Sequence, residues 1–276
     1  MSFTVHKLDH INILTADLDA SIALWRDLTG FEPLPTQTHE HLGLRNSDFV
    51  LPDGNIVGLM TPIPNTEMGD VIQAFIDKKG EGLYIIALAV DDPEAVAQEL
   101  AAKEIRTVPL DGMAFVHPKS SNGVSVEFLD KDRNVRPLSK PAVDITTHRA
   151  LRVDHVSLAV NDIEDAKDRW GKILGGVKVE SAGHSPETYR GALAMLPNCG
   201  IGLAEPAVRD ASNVVFRAMK RGEGFLSLAL EMDNVQACAD ALNAKGWQVG
   251  VAGPGLAYVS AKSTRGVMVE LTEKAL

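Results

Sequence analysis

The sequence predicts an α+β fold of four βαβββ units, paired into two tandem curved-sheet domains. Three observations predict it. First, Asp9-His10-Ile11 followed by Asp17, Trp25 and Gly30 returns about 145 residues later as Asp154-His155-Val156 followed by Asp162, Trp170 and Gly175, a period suited to two domains of ordinary size rather than a solenoid. Second, Lys79-Gly80-Glu81-Gly82 recurs as Arg221-Gly222-Glu223-Gly224, and Gly123-Val124-Ser125-Val126-Glu127 recurs as Gly266-Val267-Met268-Val269-Glu270. Third, the same order of strand, helix and three strands occurs twice within each copy.

The elements follow in order. Leu8 to Thr15 is a short apolar run that ends where Asp17 can cap a helix, with Leu18, Ile22, Trp25 and Leu28 on one face and Gly30 as the stop. Strands are expected near Phe31 to Thr38, His41 to Leu51 and Asn55 to Thr61, with Pro52-Asp53-Gly54 as the turn between the last two. After a short helix from Val71 to Lys78 the order recurs. It runs as strand Gly82 to Val90, a helix from Asp92 through Lys103 with Pro93 in its first turn, and strands near Arg106 to Leu110, Ala114 to His117 and Val124 to Leu129. The segment 131–150, with Pro137, Pro141 and several charges, has no sustained period and reads as a linker between a first domain, 1–130, and a second, 151–276. One unit cannot bury its apolar sheet face alone. Pairing two units into a curved sheet solves this, and the inner face becomes a cleft for a small molecule.

Composition narrows the function. The chain has 276 residues, 45% hydrophobic and 23% charged, which is ordinary for globular protein. Its net charge of −10 is spread along the sequence, so nucleic acid and anionic membrane are poor partners and a small molecule is the expected one. Cys199 and Cys238 are the only cysteines, in no metal-type spacing. With no signal pattern at the start and no apolar run of spanning length, a cytoplasmic location is expected.

Each copy carries one His at its first strand and one Glu at its last: His10 and Glu127, then His155 and Glu270. A carboxylate among strand valines needs a partner, so it binds a cation, meets the His across the cleft, or serves as a base. The alternative is a structural ion pair, and for the histidines a hydrogen-bonded core residue. Arg45 and Arg190, at equivalent positions, could present a fork to a substrate carboxylate or phosphate, or be solvated strand charges. Trp25 and Trp170 belong to the helix faces assigned to the core.

These residues resemble the vicinal oxygen chelate superfamily, the glyoxalase, bleomycin-resistance and extradiol-dioxygenase proteins, over nearly the whole chain. The first domain looks most like methylmalonyl-CoA epimerase. Asp9-His10-Ile11, Phe75 through Gly80-Glu81-Gly82-Leu83, and Phe115-Val116-His117-Pro118-Lys119-Ser120 leading to Val126-Glu127 carry that resemblance. The second domain has Ser260-Ala261-Lys262 where the first has the His-Pro pair.

The resemblance implies a divalent metal held on the first and fourth strands of paired units, at His10, Gly58, Ile85 and Glu127, and at His155, Gly202, Ser227 and Glu270. Two of the four are not ligand types in each domain, leaving His10, Glu127, His155 and Glu270 as candidate metal ligands. His39 or His184 could complete a facial triad with them. The resulting expectation is an isomerase or lyase acting next to a carbonyl, with Glu127 or Glu270 as base and a divalent cation polarising the oxygen. Ser227, Arg45 and Arg190 are its substrate contacts. Ser227 keeps a hydroxyl where the first domain has Ile85, which points to the second domain as the working one. The rival readings are a metal-free sequestering protein and an extradiol-type dioxygenase.

Overall fold

A computed structural model of the chain describes residues 3–185 and 187–273, apart from the side chains of His184 and Ser185. The first repeat runs β1 (Lys7–Leu14), α1 (Leu18–Thr29), β2 (Gln37–His39), β3 (Leu44–Val50), β4 (Ile56–Pro62), α2 (Glu67–Lys79), β5 (Gly82–Val90), α3 (Pro93–Ala102), β6 (Thr107–Leu110), β7 (Met113–Val116) and β8 (Ser125–Asp130). The second runs β9 (Ala150–Ala159), α4 (Ile163–Ile173), β10 (Val179–Ser185), β11 (Tyr189–Met195), β12 (Gly200–Pro206), α5 (Val214–Ala218), β13 (Gly224–Met232), α6 (Val235–Ala244), β14 (Val249–Gly253), β15 (Leu256–Val259) and β16 (Val269–Thr272). Each repeat forms one eight-stranded sheet, in the orders β2-β3-β4-β1-β5-β8-β7-β6 and β10-β11-β12-β9-β13-β16-β15-β14. In both, the first strands of two βαβββ units meet at the centre, so the α+β architecture of tandem paired units is the one the repeats predict.

Local chemistry explains the helices. Asp17 accepts from the Ala20 amide at the start of α1, and Gly30 ends it in the left-handed conformation. Asp92 and Asp162 cap α3 and α4 in the same way. Trp25 and Trp170 are fully buried from these helix faces. Helix α2 starts earlier than the apolar pattern indicates, because the Thr66 hydroxyl caps it through the Gly69 amide. The expected strand from Phe31 to Thr38 shrinks to a bridge between Phe31 and Pro141 and the three residues of β2. Pro33 and Pro35 supply no ladder donors there.

The segment after β8 is bonded along its length to the first unit. The Glu32 amide donates to Lys140 O at 2.7 Å, the Ala142 amide to Gly30 O at 3.0 Å, and the Ser139 amide to Val50 O at 3.0 Å. Ser139 Oγ in turn accepts from the Val50 amide. This tether places Arg136 over β3.

Packing divides the chain into two compact bodies, each drawing one unit from each repeat. The first comprises the residues up to Asp9, Ile85–Val135 and Asp154–Ser227; the second comprises His10–Tyr84, Arg136–Val153 and Leu228 onward. Within the first body, Gly123 lies so close to Glu223 O that a Cβ on it would fall well inside 3.0 Å. Within the second, Gly266 meets Glu81 O in the same way. Both glycines have positive φ, 81° and 103°. The two repeated motifs therefore touch one another, each against its counterpart in the other repeat. Glu81 completes the junction in the second body: Oε1 accepts from the Ala16 amide at 2.6 Å, Thr15 Oγ1 at 3.1 Å and Arg265 Nη2 at 2.8 Å. Glu223 repeats the first of these in the first body, accepting from the Asn161 amide at 2.6 Å.

Candidate functional site

Strand register fixes which side chains share a face. On the first sheet Asn12 of β1 pairs with Gly58 of β4, and Gly58 with Asp48 of β3. One step along, Met60 pairs with Asn46, and Asn46 with Gln37 of β2. Asn12, Gly58, Asp48, Asn46 and Gln37 thus lie on one face. Asp48 is only 4% exposed and Asn46 8%. A charge so buried needs partners, and it has them. Arg136 forms an ion pair with Asp48 Oδ2, and Asn46 Nδ2 donates to Asp48 Oδ1 at 2.9 Å. The Asn46 amide oxygen is left to accept from His39 Nε2 at 2.9 Å, which sets His39 as the Nε2–H tautomer for this amide orientation. Arg136 Nη1 also reaches Gln37 Oε1 at 3.5 Å.

Gly58 occupies a position where the resemblance calls for a metal ligand. A Cβ there would fall well inside 3.0 Å of Asn12 Oδ1 and 3.1 Å from Asp48 Oδ1. A side chain at position 58 would therefore require the tip of the Asn12 side chain to move. The register also gives the neighbours of the other candidate positions. His10 pairs with Ile56, and Ile56 with Val50. Glu127, 6% exposed, sits between Ala87 and Phe115, and Ile85 pairs with Ser125. Glu270 sits between Ala229 and Tyr258, and His155 pairs with Gly200 while its Nδ1 lies 2.9 Å from Asp154 Oδ2. Ser227 is buried. Among the described residues no three His, Cys, Asp or Glu side chains gather closely enough to hold a metal ion. The residues present therefore do not fit the superfamily's metal centre. His39, weighed as a third ligand, bonds to Asn46 instead, and the side chain of His184 lies outside the described residues.

The arginines singled out in the sequence lie elsewhere. Arg45 is exposed, on the face opposite Asn46 and Asp48. Arg190 is 53% exposed and paired with Glu205 at 3.1 Å and Glu164 at 3.5 Å, beside a cavity of about 230 Å³ lined by Ile163, Ser181 and Gly191. In the second sheet the counterpart of the Gly58–Asp48 pair is Gly202 with Leu193, so that face has no carboxylate there. Neither cysteine suits a nucleophile: both are buried, and burial, with Asp233 adding, pushes the Cys238 thiol up to about 12.

Residues 8–129 match the glyoxalase-like domain family, and residues 154–261 match the glyoxalase/bleomycin resistance protein/dioxygenase superfamily. The mitochondrial methylmalonyl-CoA epimerase of Dictyostelium discoideum is 31% identical over 145 residues, covering 46% of this chain and 80% of that protein. The chain belongs to the vicinal oxygen chelate superfamily. The mouse mitochondrial methylmalonyl-CoA epimerase is 25% identical over 140 residues, covering 44% of this chain and 71% of its own. A mutant 4-hydroxymandelate synthase from Streptomyces coelicolor superimposes over 97% of this chain and 92% of that one, with a TM-score of 0.71. At 14% identity that likeness shows the fold alone. As a member of the superfamily, this chain carries two eight-stranded sheets, one in each repeat.

Five residues of the polar face were not singled out in the sequence: Asn12, Gln37, Asn46, Asp48 and Arg136. Asn46 and Asp48 gave no clear signal, because they lie in the polar run Arg45-Asn46-Ser47-Asp48, which shows no alternation. Arg136 had none, because its place depends on how the segment after β8 packs.

Proposed function

We propose that the protein is an isomerase or lyase acting next to a carbonyl in a small molecule, with its working site in the first repeat and without a metal at the superfamily's ligand positions. The observation that carries this reading is Glu127, a carboxylate only 6% exposed on the last strand of the first repeat. The relationship to methylmalonyl-CoA epimerases supports the reaction class, since their name describes inversion at a carbon beside a thioester carbonyl. A buried carboxylate can be tuned to take a proton from carbon, and Glu127 is the proposed base. The proposed partners are small molecules, with neither nucleic acid nor membrane among them. A cytoplasmic setting suits two free buried thiols, and no helix among the described residues is long and apolar enough to cross a membrane.

The test is exchange of the α-proton for deuterium, followed by NMR, across a panel of acyl-CoA thioesters and 2-oxo acids with methylmalonyl-CoA as the first member. Glu127→Gln is expected to slow exchange by about 100-fold or more, and Glu270→Gln to leave it nearly unchanged. Equal rates for Glu127→Gln and the parent protein would contradict the assignment. A second reading, sequestration of a ligand, is favoured by the full commitment of Asp48 to Arg136 and Asn46. Recovery of a tightly bound compound unchanged, with no exchange on any panel member, would favour it instead.

A further inference from the structure

Each body contains the same junction, but the two are built from different residues. In the second body Gly266 meets Glu81 O, and Glu81 Oε1 accepts from the Ala16 amide at 2.6 Å, Thr15 Oγ1 at 3.1 Å and Arg265 Nη2 at 2.8 Å. In the first body Gly123 meets Glu223 O, and Glu223 Oε1 accepts from the Asn161 amide at 2.6 Å and from nothing else among the described residues. Val160 stands at the position of Thr15 and has no hydroxyl to donate. Asn122 stands at the position of Arg265 and brings no positive charge. Its Oδ1 is buried without a hydrogen-bond partner among the described residues. Arg209 bonds to Asn161, at 3.1 Å to Oδ1 and 2.6 Å to the carbonyl, rather than to Glu223.

We propose that the junction of Gly123 with Glu223 is a hinge at which the first body opens, and that its opening loosens the start of β8, the strand that carries Glu127. Opening the second body's junction breaks a charge-assisted pair, whereas opening the first breaks a single amide bond that water replaces. The buried Asn122 oxygen also gains hydrogen bonds from water when the junction opens, which lowers the cost further. The turn before β8 holds its own shape, because the Ser120 amide donates to His117 O at 2.7 Å and the Gly123 amide to Pro118 O at 2.8 Å. It therefore moves as a unit and carries the first residues of β8 with it. Glu127 is only 6% exposed in the closed form, so a substrate needs such a motion to meet its carboxylate. Local openings of low free energy are the ordinary means by which a structure admits a ligand to a buried group.

The bearing of the hinge on the reaction rests on Glu127 as the base, but the hinge itself is measured without substrate. Amide hydrogen exchange of the full chain is followed residue by residue by NMR. The Asn161 amide is expected to be about tenfold or more less protected than the Ala16 amide, and Ser125 less protected than its counterpart Met268. Exchanging the two residues tests the cause. Arg265→Asn is expected to lower protection of Ala16 about tenfold, and Asn122→Arg to raise that of Asn161 by about the same factor, each without effect on the other junction. Thermal melts establish that both variants fold, and if Asn122→Arg does not, Arg265→Asn decides alone. Equal protection of Asn161 and Ala16 in the parent protein, or unchanged protection of Ala16 in Arg265→Asn, overturns the hinge. Weak protection at Asn161 with Ser125 as protected as Met268 overturns its coupling to β8. The expected amide rates without α-proton exchange on any panel member would instead overturn the proposed reaction and leave the hinge standing.

Discussion

Asp48 and Arg136 show how single residues set the character of this chain. Removing only the arginine would strand a buried carboxylate, whereas a surface pair could be lost at little cost. Neither half of this pair was read from the sequence: Asp48 lies within the polar run Arg45-Asn46-Ser47-Asp48, and Arg136 lies 88 residues away in a segment without period. Glu81 is a second residue with a role fixed by its partners. Burial alone would raise its carboxyl, but the hydrogen bond from Arg265, the Ala16 amide and the Thr15 hydroxyl outweigh this and hold it below the ordinary glutamate value. A depressed carboxyl contributes stability above the ordinary value and loses it as pH falls through the depressed one. Glu81→Gln should therefore destabilise the protein by about 1.5 kcal/mol near neutral pH, with the deficit shrinking as pH falls below 4.5, the ordinary value. Urea unfolding of both proteins at about pH 7 and about pH 3.5 measures this; an equal deficit at both would show that the ionised form makes no special contribution.

At the scale of elements, repetition in the sequence was a sound guide and mutual contact was not. The capped helices and the central strands of both sheets lie where Asp17, Asp92, Asp162 and the apolar runs put them. The edge strand β2 does not, because Pro33 and Pro35 deny it ladder donors, an effect the apolar pattern does not report. The Gly-Glu-Gly motif and the glycine before Val124 or Val267 were visible only as copies. Their packing against each other explains why the copies agree, since each glycine must approach a glutamate carbonyl too closely for any side chain. Gly123→Ala and Gly266→Ala should each destabilise the protein by about 3 kcal/mol, from positive φ and from contact with Glu223 O and Glu81 O respectively. Chemical denaturation checks this. A loss under about 1 kcal/mol at either position would mean that the junction can open without cost.

At the scale of the whole molecule, tandem repetition and the superfamily were legible from His10, His155, the Gly-Glu-Gly motifs and the terminal glutamates. The distribution of polar side chains between the two sheets was not. The Ser227 hydroxyl points to the second repeat, while Leu193 stands where the first repeat has Asp48. Sequence alignment places a residue on a strand. Only register shows that Asn12, Gly58 and Asp48 form one row. The central claim is that a carbonyl site in the first repeat works without a divalent metal. The most direct measurement is α-proton exchange by untagged protein, with metal content determined on the same sample, before and after exhaustive treatment with EDTA. The account predicts less than stoichiometric metal and an exchange rate unchanged by the chelator. Exchange that is lost with EDTA and restored by one equivalent of Mn²⁺, Co²⁺, Ni²⁺ or Zn²⁺ would contradict it.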